Sequence, residues 1–133
     1  MRTTLSSLHR MAQEGNRITQ LTCYDASFAS VLDAAGVDTI LIGDSLGNVI
    51  QGHESTLPVT LRDIVYHVSC VARGSKRAFI VGDMPFGTYQ TSPQDALRNA
   101  ADSESAYTRC SRSLNAEKAA SSPGWSSAAT AKR

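Results

Sequence analysis

The 133-residue sequence has no excess of charge of one sign. Its formal net charge is +1, which gives no electrostatic basis for binding a polyanion or an anionic membrane. It also lacks long hydrophobic runs. The longest are strand-sized, far short of the roughly 20 apolar residues that span a bilayer. Cysteine is sparse: Cys23, Cys70 and Cys110 form an odd set without metal-ligand spacing, as expected of reduced thiols in a cytoplasmic protein. The basic N-terminus "MRTTLSSLHRMAQEG" has no continuous apolar core, so it does not read as a secretory signal.

A regular alternation is present. Leu5 to Glu14 reads as a short helix closed by Gly15, and "RITQLTCYD" as a strand. Asp25 is placed to cap a helix whose apolar residues Phe28, Val31, Leu32 and Ala35 fall at helical spacing, with Gly36 ending it. "TILIG" is a second strand, followed by a long loop. Thr60 with Asp63 reads as a capping box opening a helix with the stripe Leu61, Ile64, Val65, Val68 and Val71. "AFIVG" is a third strand, and Ser92-Pro93 with Asp95 starts a last helix. Strands alternating with helices predict an α/β fold with a parallel sheet. Strands that are apolar throughout predict a sheet covered on both faces.

Two strands end in the same way. "DTILIGDSLGN" and "RAFIVGDMPFG" each run from apolar residues through a glycine to an aspartate, Asp44 and Asp83. Functional groups gather at the C-terminal ends of parallel strands. Two carboxylates delivered there suit a hard cation such as Mg²⁺, which takes oxygen ligands and shares its shell with water and substrate. The competing reading is that both aspartates cap the turns that follow them, as Asp25 is expected to do.

"GDSL", Gly43 to Leu46, also spells the nucleophile motif of the GDSL esterases and lipases, with Ser45 as nucleophile. That chemistry needs a base from a late Asp-x-x-His, and no such motif occurs in the chain. Asp63 and His67 are four apart, within the predicted helix.

A longer ordered set of motifs carries a more specific likeness. "TCYDASFA", "LIGDSLGNVIQGHESTLPVT", "DIVYHV", "GDMPFGTY" and "ALRNAA" resemble the ketopantoate (3-methyl-2-oxobutanoate) hydroxymethyltransferases, from the N-terminus to about Ala101. The resemblance implies the N-terminal part, about three βα units, of a (β/α)₈ TIM barrel. It implies a Mg²⁺ ion held by Asp44 and Asp83, and a 2-oxo acid bound by Asp44, Ser45 and Asp83. The implied reaction moves a hydroxymethyl group from 5,10-methylenetetrahydrofolate to 3-methyl-2-oxobutanoate, giving 2-dehydropantoate through a Mg-stabilised enolate. It further implies a cytoplasmic homo-oligomer, a decamer. His53 lies in the matching region with no role beyond loop packing.

The resemblance divides the chain into residues 1–101, barrel-like, and residues 102–133, a Ser/Ala-rich tail of low hydrophobicity. The tail is expected to be disordered, because it offers little apolar surface to offset its ordering entropy. It also reads as a shifted frame: Arg112-Ser113-Leu114-Asn115 can be encoded so that a one-base shift yields Lys-Leu-Glu, part of the family's next strand. The family's general base, substrate lysine and further glutamate therefore have no place here, and no catalytic residue is assigned. The chain is expected to be inactive alone, and a non-catalytic remnant or assembly fragment is the alternative reading beside the GDSL hydrolase.

Overall fold

The computed structural model describes residues 2–120, with side chains described as far as Ser105 and at Tyr107. The elements run α1 (Leu5–Gln13), β1 (Gln20–Thr22), α2 (Ala26–Ala34), β2 (Thr39–Ile42), α3 (Leu46–Val49), α4 (Leu61–Gly74), β3 (Phe79–Gly82) and α5 (Pro93–Ala120). The three strands form one sheet in the order β1-β2-β3, all parallel. Residue Ile40 pairs with Leu21 on one side and Ile80 on the other. The expected α/β fold with a parallel sheet is therefore present.

Local chemistry sets the helix ends. Thr4 caps α1 through a reciprocal pair with Ser7. Asp25 caps α2 by accepting the Phe28 amide at 2.8 Å. Thr60 and Asp63 form the capping box that opens α4, with Asp63 accepting both the Thr60 amide and hydroxyl. Ser92 accepts the Asp95 amide at the start of α5.

The core lies where β2 meets α2 and α4. Ile40, Ile42, Ile64 and Val71 are fully buried, with Val68 nearly so. Each such side chain is worth about 1.5–3 kcal/mol relative to exposure, so α4 is held by its stripe. Leu61 and Val65 of the same stripe are half-buried.

Three expectations need correction. On α2 the buried residues are Ala29, Leu32 and Asp33, whereas Phe28 and Val31 are 56% and 60% exposed. The helix packs on α4 and is rotated so that Ala29 and Leu32 go inside, and a carboxylate goes inside with them because it is fully hydrogen-bonded, as described below. The first strand is only three residues long and exposed, because it is a sheet edge with a partner on one side. The loop after β2 opens with a short helix, α3.

The tail also differs from expectation. Helix α5 passes Ala101 without a break and continues to Ala120. No glycine or proline interrupts residues 94–122, and Ala, Arg, Leu, Glu and Lys favour helix by intrinsic propensity without needing burial. The rest of the expected disordered tail, residues 121–133, lies outside the described residues.

One buried carboxylate joins the layers. Asp33 of α2 accepts the Ser75 hydroxyl at 2.8 Å and the amides of Lys76, Arg77 and Ala78 at 2.9–3.2 Å. These donors are the turn that leads from α4 into β3. Burial pushes the Asp33 carboxyl up, but the Ala78, Arg77 and Lys76 amides and the Ser75 hydroxyl more than reverse this and hold it at about 2.

Candidate active site at the strand ends

The parallel register puts the ends of β2 and β3 side by side. Ile42 pairs with Gly82, and the Asp83 amide donates to the Ile42 carbonyl at 2.9 Å. The chain then turns at once: the amides of Leu46 and Gly47 return to the carbonyls of Gly43 and Asp44. Asp44, Ser45 and Asp83 thus leave two neighbouring strands at the same, C-terminal, end of the sheet.

Gly43 sits between them. A Cβ at this buried position would lie 3.3 Å from Ser45 Oγ and 3.7 Å from Asp83 Oδ2. Its missing side chain is the space that Ser45 and Asp83 share, which gives the glycine of the repeated strand-end motif a steric reason.

The capping alternative for these aspartates does not match the contacts. Ser45 occupies the N-cap of α3 without a side-chain capping bond. Among the described residues, no hydrogen bond or ion pair engages the side chain of Asp44 or Asp83, whereas Asp25, Asp33, Asp63 and Asp95 all have such partners. Asp44 is half-buried and Asp83 exposed. The two carboxylates supply hard oxygen donors of the kind a Mg²⁺ shell uses alongside waters and substrate oxygens. No cluster of three His, Cys, Asp or Glu able to hold a metal exists among the described residues.

Two residues that the sequence did not single out complete the surroundings. The Tyr24 hydroxyl, just beyond β1, is 2.8 Å from Ser45 Oγ. His67 of α4 meets the Tyr24 carbonyl through Nδ1 at 2.7 Å. A carbonyl only accepts, so Nδ1 carries the proton. Tyr24 stood inside a quoted motif, but its partner is 21 residues away, and only the fold brings the two together.

The same contacts dispose of the esterase reading. Ser45 Oγ is paired with a phenol rather than an imidazole, and His67 uses Nδ1 on a backbone carbonyl. His53 is exposed, with its backbone amide on Gly47 and its carbonyl accepting from Asn48, which is a loop-shaping role. Cys23 is buried and its thiol is pushed up, mainly by that burial. No described helix is long and apolar enough to cross a membrane.

Comparison with known proteins places this site in context. The family profile of ketopantoate hydroxymethyltransferase matches residues 2–108. The chain is 66% identical over 100 residues to a 3-methyl-2-oxobutanoate hydroxymethyltransferase of Dechloromonas aromatica, covering 75% of this chain and 37% of that protein. It is 61% identical over 101 residues to a protein of the same name from Chromobacterium violaceum, covering 76% and 38%. For the Nitrosomonas europaea protein of that name the identity is 60% over 99 residues, covering 74% and 37%. The chain thus spans less than two fifths of the length of these relatives.

Proposed function

The chain belongs to the ketopantoate hydroxymethyltransferase family, and on that premise we propose that it carries the oxo-acid-binding corner of such an enzyme. The reaction proposed for the complete assembly moves a hydroxymethyl group from 5,10-methylenetetrahydrofolate to 3-methyl-2-oxobutanoate. The three βα units would be the opening part of a (β/α)₈ barrel, with the site at the usual C-terminal end of its strands.

The observation that carries this reading is the pair of unengaged carboxylates, Asp44 and Asp83, at the ends of adjacent paired strands, with Ser45 and Asp83 both facing the space left by Gly43. Asp44 and Asp83 would hold Mg²⁺, which when bound supplies Lewis-acid polarisation of the 2-oxo group. Ser45 would donate its hydroxyl proton to the substrate carboxylate and fix its orientation. Gly43 keeps the space between these groups clear. A general base is not among the residues assigned, so the reading for these residues is oxo-acid binding, without turnover. Loss of a positioned base alone costs about 10²–10⁴-fold in rate.

The test uses purified chain freed of host enzyme. Titration with 3-methyl-2-oxobutanoate, followed by NMR with and without Mg²⁺, should show binding in the millimolar range that requires the metal. Asp44→Ala and Asp83→Ala should each abolish it, and no 2-dehydropantoate should form when methylenetetrahydrofolate is added. Metal-dependent binding that survives both substitutions would remove the assignment of the site.

A further inference from the structure

Ser45 has one hydroxyl proton, and the structure pairs that hydroxyl with Tyr24 at 2.8 Å. Which oxygen donates decides what Ser45 can offer a ligand. If Ser45 donates to Tyr24, it meets an incoming carboxylate with lone pairs and repels it. If Tyr24 donates to Ser45, the serine proton is free for the anion. A phenol is a better hydrogen-bond donor than an aliphatic hydroxyl. Donors in series also strengthen one another.

The tyrosine is held for this task from behind. Its carbonyl accepts from His67 Nδ1 at 2.7 Å, and its ring stands edge-on to the imidazole, with centroids 6.2 Å apart at 86°. The imidazole is itself set edge-on against Tyr66, at 5.2 Å and 84°. The end of β1 is thereby fastened to α4, and the phenol reaches across to the end of β2.

We infer that Tyr24 is a positioning residue for the oxo acid: it donates to Ser45 Oγ and so presents the serine proton to the substrate carboxylate, while His67 fixes the backbone from which Tyr24 reaches. This rests on the proposed function, in which Ser45 meets that carboxylate. It adds the third strand end to the site.

Tyr24→Phe is the informative variant, because it keeps the ring, the edge contact and the backbone carbonyl and removes only one oxygen. The full chain would be titrated by NMR with Mg²⁺ alone, and with 3-methyl-2-oxobutanoate in the presence of Mg²⁺. Affinity for the oxo acid should fall about 5–10-fold, the size expected for one hydrogen bond between neutral groups, while Mg²⁺ affinity stays at the wild-type value. In a Ser45→Ala background, Tyr24→Phe should cause no further loss, because its effect travels through Ser45. Wild-type affinity in Tyr24→Phe, or an undiminished loss in the Ser45→Ala background, overturns the inference and leaves the proposed function standing. A wild-type chain that binds Mg²⁺ but no oxo acid overturns both.

Discussion

The carboxylate of Asp33 accepts the amide proton of Ala78 at 2.9 Å across 45 residues of sequence. This bond, with those from Ser75, Lys76 and Arg77, fixes where β3 begins relative to α2, and through β3 it fixes where Asp83 emerges. A structural aspartate thus sets the reach of a candidate ligand at the other end of the strand.

Acid should therefore loosen the fold at Asp33. Its carboxyl lies at about 2 in the folded chain against an ordinary 3.8. A group depressed on folding stabilises fully above its unfolded value, and that contribution drains away as pH falls from near 3.8 through about 2. At ~1.4 kcal/mol per unit the amount is roughly 2–2.5 kcal/mol. Urea unfolding measured between pH 5 and pH 2 should show this acid limb in the wild type and a flatter profile in Asp33→Asn. Asp33→Ala, which leaves four donors without their acceptor, should cost about 2–4 kcal/mol at neutral pH.

Substitution at Gly74 should be nearly as damaging. A Cβ there would lie 2.1 Å from the Ala26 carbonyl oxygen and 2.8 Å from its carbon. Both atoms are backbone, so the end of α4 would have to move away from the start of α2. Gly74→Ala should cost about 3 kcal/mol, the upper part of the overpacking range, read as a lowered denaturant midpoint with an unchanged slope.

The α4 capping box offers a milder test. Thr60→Ala removes the acceptor for the Asp63 amide and a donor to its carboxylate. The expected loss is about 1 kcal/mol. The Thr60 side chain is also the first cause holding the Asp63 carboxyl below its usual range, so NMR titration should show that carboxyl rising towards its ordinary value in the variant.

At the strand ends, metal should stabilise the fold through two named side chains. With millimolar affinity, ~10 mM Mg²⁺ adds about 1.4 kcal/mol by mass action. Thermal unfolding should shift upward with Mg²⁺ in the wild type and stay fixed in Asp44→Asn and Asp83→Asn. A shift of equal size in all three proteins would place the ion elsewhere.

What could be read in advance was local. Asp25, the Thr60–Asp63 box and the Ser92–Pro93 start are signals contained within four residues, and the structure has each as expected. Asp44 and Asp83 were legible because strand ends deliver residues to a common edge whatever the details of packing. The orientation of α2 was not legible. Phe28 and Val31 share helical spacing with Leu32, and only the Ser75–Ala78 turn, far along the chain, makes Asp33 the residue that goes inside. Tyr24 and His67 escaped for the same reason: their contacts join positions 21 and 43 residues apart, and no spacing rule connects them.

The sheet has two outer edges, on β1 and on β3, and they are not alike. In a parallel sheet one edge cannot pair with itself by a two-fold axis and keep the strand direction. A second copy that continued the order would have to set its β1 against the β3 of the first, leaving a fresh β3 at the far side. Contacts of that head-to-tail kind end only if the turn from copy to copy divides a full circle, and otherwise propagate as a filament. The polarity of three short strands thus limits the ways a sheet edge can be extended: keeping the strand direction requires a head-to-tail contact, whereas a two-fold contact makes the new pair antiparallel.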